Sequence, residues 1–443
     1  MWTSKTFSPV QRSFVLRSFV LRSFVLCSFL PGVCPAFAQT SAENKDQIAA
    51  TLSSAHRAFT TVIPRGKTIA VSPRTIHSAL TPATSIDSIR TFAGEFQVSG
   101  FDAQGNPRRK WLFTMAGGGP DTGGTTTFNA PIVPVSLDLL DYDGAVRVVD
   151  GHRLHYSVRP FVSAVVNSPV FQNADYTSSD VPTQFADAVQ RAEFYNQMQP
   201  DWHTLLKPSV KAERRLSIRR GSYYFALNPD GSCCAFVLVD IKAFSKLLFS
   251  AAANDATTLV GAAEQARDIT TGDISTFLFP NTYLYLDGNP NHCCVLGFHT
   301  YDSEPGDAGN NFREKRYVFN YSSWISPGLF APGFGDITAL SHEITESLND
   351  PFVGSDGVHG ITPWWLSQNG NCQNDMEVGD AIEGLPDATI AIRTNSRTYH
   401  PQNEALLPWF EFQSPSSALG GAYSYPNQNV LTALSPPQGI NCP

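Results

Sequence analysis

The stretch DITALSHEITESLND, residues 336–350, constrains this chain more than any other. Ile337, Leu340, Ile344 and Leu348 recur at three- and four-residue spacing, which is one apolar stripe of an α-helix. Asp336 stands where an N-cap side chain holds the first free N–H groups, and Pro351 forbids the helix to continue. The spacing predicts a helix over 336–350, with His342, Thr345, Glu346 and Asn349 on a second face. The rest of the fold has to bury the first face.

The second face can do chemistry. Side chains four apart on a helix are neighbours, roughly 5–6 Å between Cβ atoms, so His342 and Glu346 can grip one cation. Glu343 stands where zinc peptidases with an H-E-x-x-H helix place the base that activates water. The fifth letter is Glu346 here, not His. A catalytic zinc takes three protein ligands, and the acidic segment MEVGD at 376–380 supplies the third: Glu377 as ligand, with Asp380 orienting His342 or substituting as a ligand. One imidazole with two carboxylates is a harder, more negative set than two imidazoles with one, and so tolerates Mn, Ca or Mg as well as Zn. Downstream, TYHP offers Tyr399 or His400 as an oxyanion-stabilising group. His299 and His359 read as hydrogen-bonded strand and loop residues. The plainer alternative for the whole motif is a capped surface helix whose acids are solvated.

Three strand-like runs lead into the helix: STFLFPNTYLYLDG, CCVLGFHTYD and KRYVFNYSSW. Upstream, FQVSGFDAQGNPRRKWLFTMAG predicts a hairpin about Gly-Asn-Pro, and GSYYFALNPDGSCCAFVLVD another about residues 228–231. PIVPVSLDLL and AVRVVDG read as strands, FADAVQRAEFYNQM and ATTLVGAAEQARD as helices. GGGPDTGGTTT lacks the G-K-[ST] ending of a phosphate-binding loop, and no G-x-S-x-G elbow is present. The aspartates at 141–143 and 302–307 lack a full calcium-loop pattern and read as turns. Apolar residues at 42% and charged ones at 16% make a globular composition. The expected fold is α+β: a mixed β-sheet packed on the 336–350 helix, a β-rich part over 96–335, and a loop-rich, disulfide-stapled part over 351–443.

The first 38 residues read as a signal peptide. Lys5, Arg12, Arg17 and Arg22 are their only charges, RSFVL repeats three times in tandem, and an apolar run ends at Ala36-Phe37-Ala38, an A-x-A cleavage pattern. That run is too short to span a bilayer. Residues 39–95, polar and weakly periodic, read as an N-terminal arm or pro-segment, and 96–443 as the main domain. Cleavage removes four positive charges and takes the formal net charge from −8 to about −12. Such an acidic chain is a poor partner for nucleic acid or an anionic membrane. A secreted or periplasmic location follows. Six cysteines then remain, an even number that points to disulfides in an oxidising compartment. The expected pairing staples the Cys233-Cys234 strand to the Cys293-Cys294 strand and closes Cys372 on Cys442.

LSHEITESLNDPF, CQNDMEVGD, TYHPQNEALLPWF, GSCCAFVLVD, DISTFLFPNTYLYL and CCVLGFHTYD together resemble a group of exported bacterial proteins of unassigned function. In that group H-E-x-x-E, a following D-P, E-V-G-D and Y-H-P-Q recur in this order, over nearly all of the mature chain. A looser similarity is to the plant phosphate-induced (EXORDIUM-like) secreted proteins, with His342, Glu343, Glu346, Glu377 and Asp380 at the matching positions. Both groups resemble zincin metallopeptidases in the helix and the downstream acid, and differ from them at Glu346. The resemblance implies a secreted, zincin-like, metal-dependent hydrolase of peptides or proteins. Glu343 would be the base, His342, Glu346 and Glu377 the ligands, and Asp380 their support. A different class is a non-catalytic extracellular binding protein with a structural or vestigial metal site. Trp364, Trp365 and Trp409 would then stack on a cell-wall or carbohydrate ligand.

Overall fold

Long, unbroken apolar runs are what a parallel sheet covered on both faces requires, and they are what the centre of this protein contains. A computed structural model describes residues 46–48, 86–97, 110–177, 181–249, 255–353, 365–373, 375–394 and 396–435. The strand Thr125–Leu140 runs through the middle of an eight-stranded sheet. On one side it pairs in parallel with two successive strands, His203–Val210 and Arg214–Arg219. On the other it pairs in parallel with Ile274–Pro280, every residue of which is buried. Glu314–Trp324 continues the parallel order. The last strand, Gly297–Glu304, returns antiparallel to it, His299 opposite Asn320. The result is a mixed α/β fold with a large, mainly parallel sheet and few helices.

Two of the strand-like runs before the helix are each divided between sheets. Ile274–Pro280 lies in the large sheet, and Thr282–Tyr285, after Asn281 in the left-handed region (φ 29°), lies in a second sheet of four strands. Cys293–Val295 and Gly297–Glu304 divide likewise. The expected hairpin about 228–231 forms from Tyr223–Leu227 and Cys233–Asp240. The other expected hairpin pairs Thr91–Gln97 with Lys110–Ala116, its turn lying outside the described residues.

The cysteine pairing differs from expectation. Cys233 is bonded to Cys234, and Cys293 to Cys294. In the small sheet Thr282–Tyr285 separates the two cysteine strands, and Cys293 is level with Tyr285 and hence with Asp240. Cys233 is seven residues further along its strand, about 23 Å at the usual rise, whereas a disulfide needs Cα atoms within about 7 Å. Register therefore forbids the cross-strand staple. Cys372 is disulfide-bonded; Cys442 lies outside the described residues.

The predicted helix spans Thr338–Asn349. It starts two residues late because Asp336 does not cap it. The Asp336 carboxylate takes the N–H of Ile337 (2.6 Å) and of His400 (2.8 Å) instead. All twelve residues are buried, so this is no surface helix. Ile337, Leu340, Ile344 and Leu348 pack with Val318, Ile274 and Leu278 of the sheet. The helix Phe185–Glu193 flanks it, Gln190 donating to the Leu348 carbonyl and Asn349 donating to Glu193. The remaining side is closed by the C-terminal part, which among the described residues has only short strands, a four-residue α-helix and a three-residue 3-10 helix. Two pieces of the expected N-terminal arm are docked: Ile86–Asp87 pairs with Glu314–Lys315, and Ile48 bonds Phe225. Among the described residues no helix is long and apolar enough to cross a membrane.

Candidate metal centre

A helix buried all round cannot leave polar side chains to water, so each must meet a partner. The hydroxyls of Ser341, Thr345 and Ser347 solve this locally by donating to carbonyls one turn back. His342, Glu343 and Glu346 are 0%, 0% and 2% exposed and have no such local solution.

Glu346 is the hinge of what they meet. Its Oε1 lies 3.0 Å from His342 Nε2 and accepts the backbone N–H groups of Gly379 (3.0 Å) and Asp380 (3.4 Å). Its Oε2 lies 3.2 Å from Nδ1 of His299, on the edge strand across from the helix. Glu377 Oε2 is 3.5 Å and Glu343 Oε2 3.8 Å from the same nitrogen. Asp380 Oδ1 is 3.6 Å from His342 Nε2. Two buried donor groups result, His299–Glu346–Glu377 and His342–Glu343–Glu346, the ligand atoms within each lying within 4.8 Å of one another. Glu377 therefore groups with His299 and Glu346, not with His342.

Two glycines make this closeness possible. A Cβ on Gly297, two residues before His299 on the same face of its strand, would sit 2.6 Å from Glu343 Oε1. A Cβ on Gly379 would sit 2.4 Å from His342 Nδ1. The strand and the MEVGD loop both press bare backbone against the site.

The His299 ring is already set as a ligand. Its Nε2 lies 3.1 Å from the Asp350 carbonyl, a group that can only accept, so Nε2 carries the proton. In neutral imidazole that leaves the Nδ1 lone pair facing three carboxylates, an arrangement that demands a proton or a cation there. A second ring N–H bonded to a carbonyl is the usual support of a metal-bound histidine. The spacing agrees. Tetrahedral zinc with ligands near 2.0–2.1 Å needs donors about 3.3 Å apart, and 3.2 and 3.5 Å are found.

Charge competition is severe. Burial pushes Glu343 up to about 7, and raises Glu377 well above the carboxylate range. For Glu346 burial acts the same way, but His342 and His299 outweigh it and lower its pKa. Burial opposes charge on the imidazoles. Glu377, Glu343 and Glu346 nevertheless hold His299 well above its usual value, as Glu346 and Glu343 do His342. The residues present thus fit a divalent cation. One nitrogen among several oxygens suits Mn or Ca as well as Zn.

Tyr399 and His400 are held elsewhere. The Tyr399 hydroxyl donates to the Ala164 carbonyl in the core. His400 Nδ1 pairs with Asp336 at 2.7 Å, and the residue borders a cleft of about 890 Å³ with Phe330, Phe334 and Asn369. Trp365 and Trp409, each 1% exposed, donate to the carbonyls of Phe410 and Ala433 and present no stacking face. Trp364 and His359 lie outside the described residues. The sequence reading missed His299 and Glu404. Glu404 is 0% exposed and neither carboxylate oxygen has a hydrogen-bond partner. Compared with protein-family models, with curated proteins and with solved structures, the chain matches none.

Proposed function

We propose that this chain is an exported metal-dependent hydrolase with a zincin-like site, acting on peptide or protein substrates. The observation that carries the reading is Glu343. Its carboxylate is fully buried beside the donor set, neither oxygen has a hydrogen-bond partner, and its pKa is raised to about 7. A general base works best with a pKa near the operating pH. His299, Glu346 and Glu377 would hold the cation, Zn with Mn or Ca as substitutes. Bound there, it would polarise a substrate carbonyl and acidify water. Glu343 takes the proton of the attacking water and delivers it to the leaving amine. His342, tied to Glu346 and Asp380, fixes the bridging carboxylate. The cleft beside His400, whose Asn369 and Asn371 donate to the Asp380 carbonyl, is where this reading seats a peptide.

A second reading rests on burial. His299, Glu346 and Glu377 are only 1–2% exposed, and a cation sealed among them would be a structural staple, as closed zinc sites are. Metal analysis of purified protein beside Glu343→Gln, assayed on a mixed protein digest, separates the two. The hydrolase reading expects stoichiometric metal in both proteins and hydrolysis only in wild type, lower in the variant by at least 10². Metal without any hydrolysis selects the staple. Absence of metal from wild type at neutral pH sinks both.

A further inference from the structure

We propose that the centre holds two cations bridged by Glu346, the second taken by His342, Glu346, Asp380 and Glu404. This rests on the metal-dependent reading and deepens it. The two imidazoles fall in different donor groups that share Glu346, and the carboxylate presents one oxygen to each: Oε2 to His299 and Oε1 to His342. A cation seated at His299 leaves His342 Nε2 outside its reach, still between Glu346 Oε1 at 3.0 Å and Asp380 Oδ1 at 3.6 Å. Each of these separations from Nε2 suits a pair of ligands about 2.1 Å from one cation, and Glu343 is the third donor within 4.8 Å of His342 and Glu346.

Glu404 is the independent sign. It lies in the short strand Glu404–Ala405, fully buried, with neither oxygen hydrogen-bonded. The neighbouring bonds aim it at the His342 side. Gln402, two residues earlier and on the same side of an extended segment, donates its side chain to the Gly379 carbonyl at 2.8 Å. Its backbone N–H reaches Ser341 on the helix at 3.0 Å, and Ala405 donates to Val378. Among the charges that act on Glu404, His342 is the foremost, followed by Glu346, Glu343 and Asp380. Nothing in the first donor group uses this carboxylate.

Charge balance points the same way. Glu343, Glu346, Glu377, Asp380 and Glu404 are all at most 7% exposed. Fully ionised, these five groups would carry five negative charges, of which one divalent cation would offset two and two cations four. Each unmatched buried charge is costly. Two cations a bridging carboxylate apart can hold the attacking and the departing oxygens of one displacement.

The test is metal stoichiometry. Protein stripped with EDTA, reloaded with excess Mn(II) and desalted should carry two equivalents, and Glu404→Gln one. Should that variant fail to fold, electron paramagnetic resonance of Mn-loaded wild type decides. A bridged pair gives an exchange-coupled spectrum, a lone ion an isolated six-line one. One equivalent with a six-line spectrum overturns the second site and leaves the hydrolase reading standing. Two equivalents retained by a folded Glu404→Gln overturn the assignment of Glu404. None at all overturns this proposal and the reading beneath it.

Discussion

Replacing Gly379 with alanine puts the packing of the MEVGD loop on the site helix to a direct test. The added Cβ would lie 2.4, 2.5 and 2.6 Å from Nδ1, Cε1 and Cγ of the His342 ring, against 3.4–4 Å for an ordinary contact. The ring is 0% exposed and cannot swing aside, so ring and loop must part by about 1 Å, an overpacking that costs about 1–3 kcal/mol. Moving the loop also draws the Gly379 N–H from Glu346 Oε1, now at 3.0 Å. A hydrogen bond to a charged acceptor is worth about 1.5–3 kcal/mol. The sum, about 2.5–6 kcal/mol, should appear as a lower urea midpoint, and metal affinity should fall roughly 10- to 100-fold with the support of a ligand lost. Gly272→Ala is the control, since its Cβ would meet nothing closer than Thr270 Oγ1 at 3.9 Å. If Gly379→Ala unfolds and binds metal as wild type does, the loop does not lie on His342 and the centre as described falls.

Chelation should lower the melting temperature, because a ligand at a hundred times its Kd adds about 2.7 kcal/mol; an EDTA-treated protein melting unchanged would argue against any bound cation. Far from the centre, burial pushes Glu264 up to about 9 beside Asp302 and Glu304. The folded state then keeps a proton that the unfolded chain releases above pH 4.5. The stability this contributes is complete below that pH and lost as pH rises toward 9, with a slope of up to about 1.4 kcal/mol per pH unit. Urea midpoints of Glu264→Gln should fall less between pH 5 and 9 than those of wild type, and equal slopes would contradict the raised affinity. Trp409→Ala should cost about 3–5 kcal/mol in urea unfolding, as for other buried tryptophans; a loss under 1 kcal/mol would mean the indole is not buried.

Much of the fold could be read from pattern alone. The 338–349 helix followed from its apolar spacing and Pro351, and the runs before it are strands as expected. What pattern could not give was register. Which sheet each half of STFLFPNTYLYLDG joins is decided at Asn281, and the cysteine pairing is decided by where neighbouring strands lie level. The same limit hid His299. It stands 43 positions before His342, in a run that reads like any other buried strand, and only pairing with Glu314–Trp324 brings it across the helix. One signal was present in principle. An ionisable side chain inside GFHTYD or NEALL must find a partner once its segment is buried, and the two segments offer His299 and Glu404.

Such a centre is a poor device for stability by itself. Well-packed apolar side chains in place of buried charge pairs are often neutral or better by 1–4 kcal/mol. A helix surrounded on every side is ordinarily apolar all round. Thr338–Asn349 instead places His342, Glu343 and Glu346 in its core-facing turns, against strands and loops that add His299, Glu377, Asp380 and Glu404. Protons could neutralise some of these groups, but a proton on His299 Nδ1 serves one acceptor, while three carboxylate oxygens lie 3.2–3.8 Å from that nitrogen. A divalent cation satisfies several donors at once, and Glu343, like Glu404, has no hydrogen bond to keep. The exchange of His for Glu at 346 then has a structural reading that the motif alone lacked. An imidazole there would serve one centre through one nitrogen, whereas a carboxylate reaches His299 and His342 together.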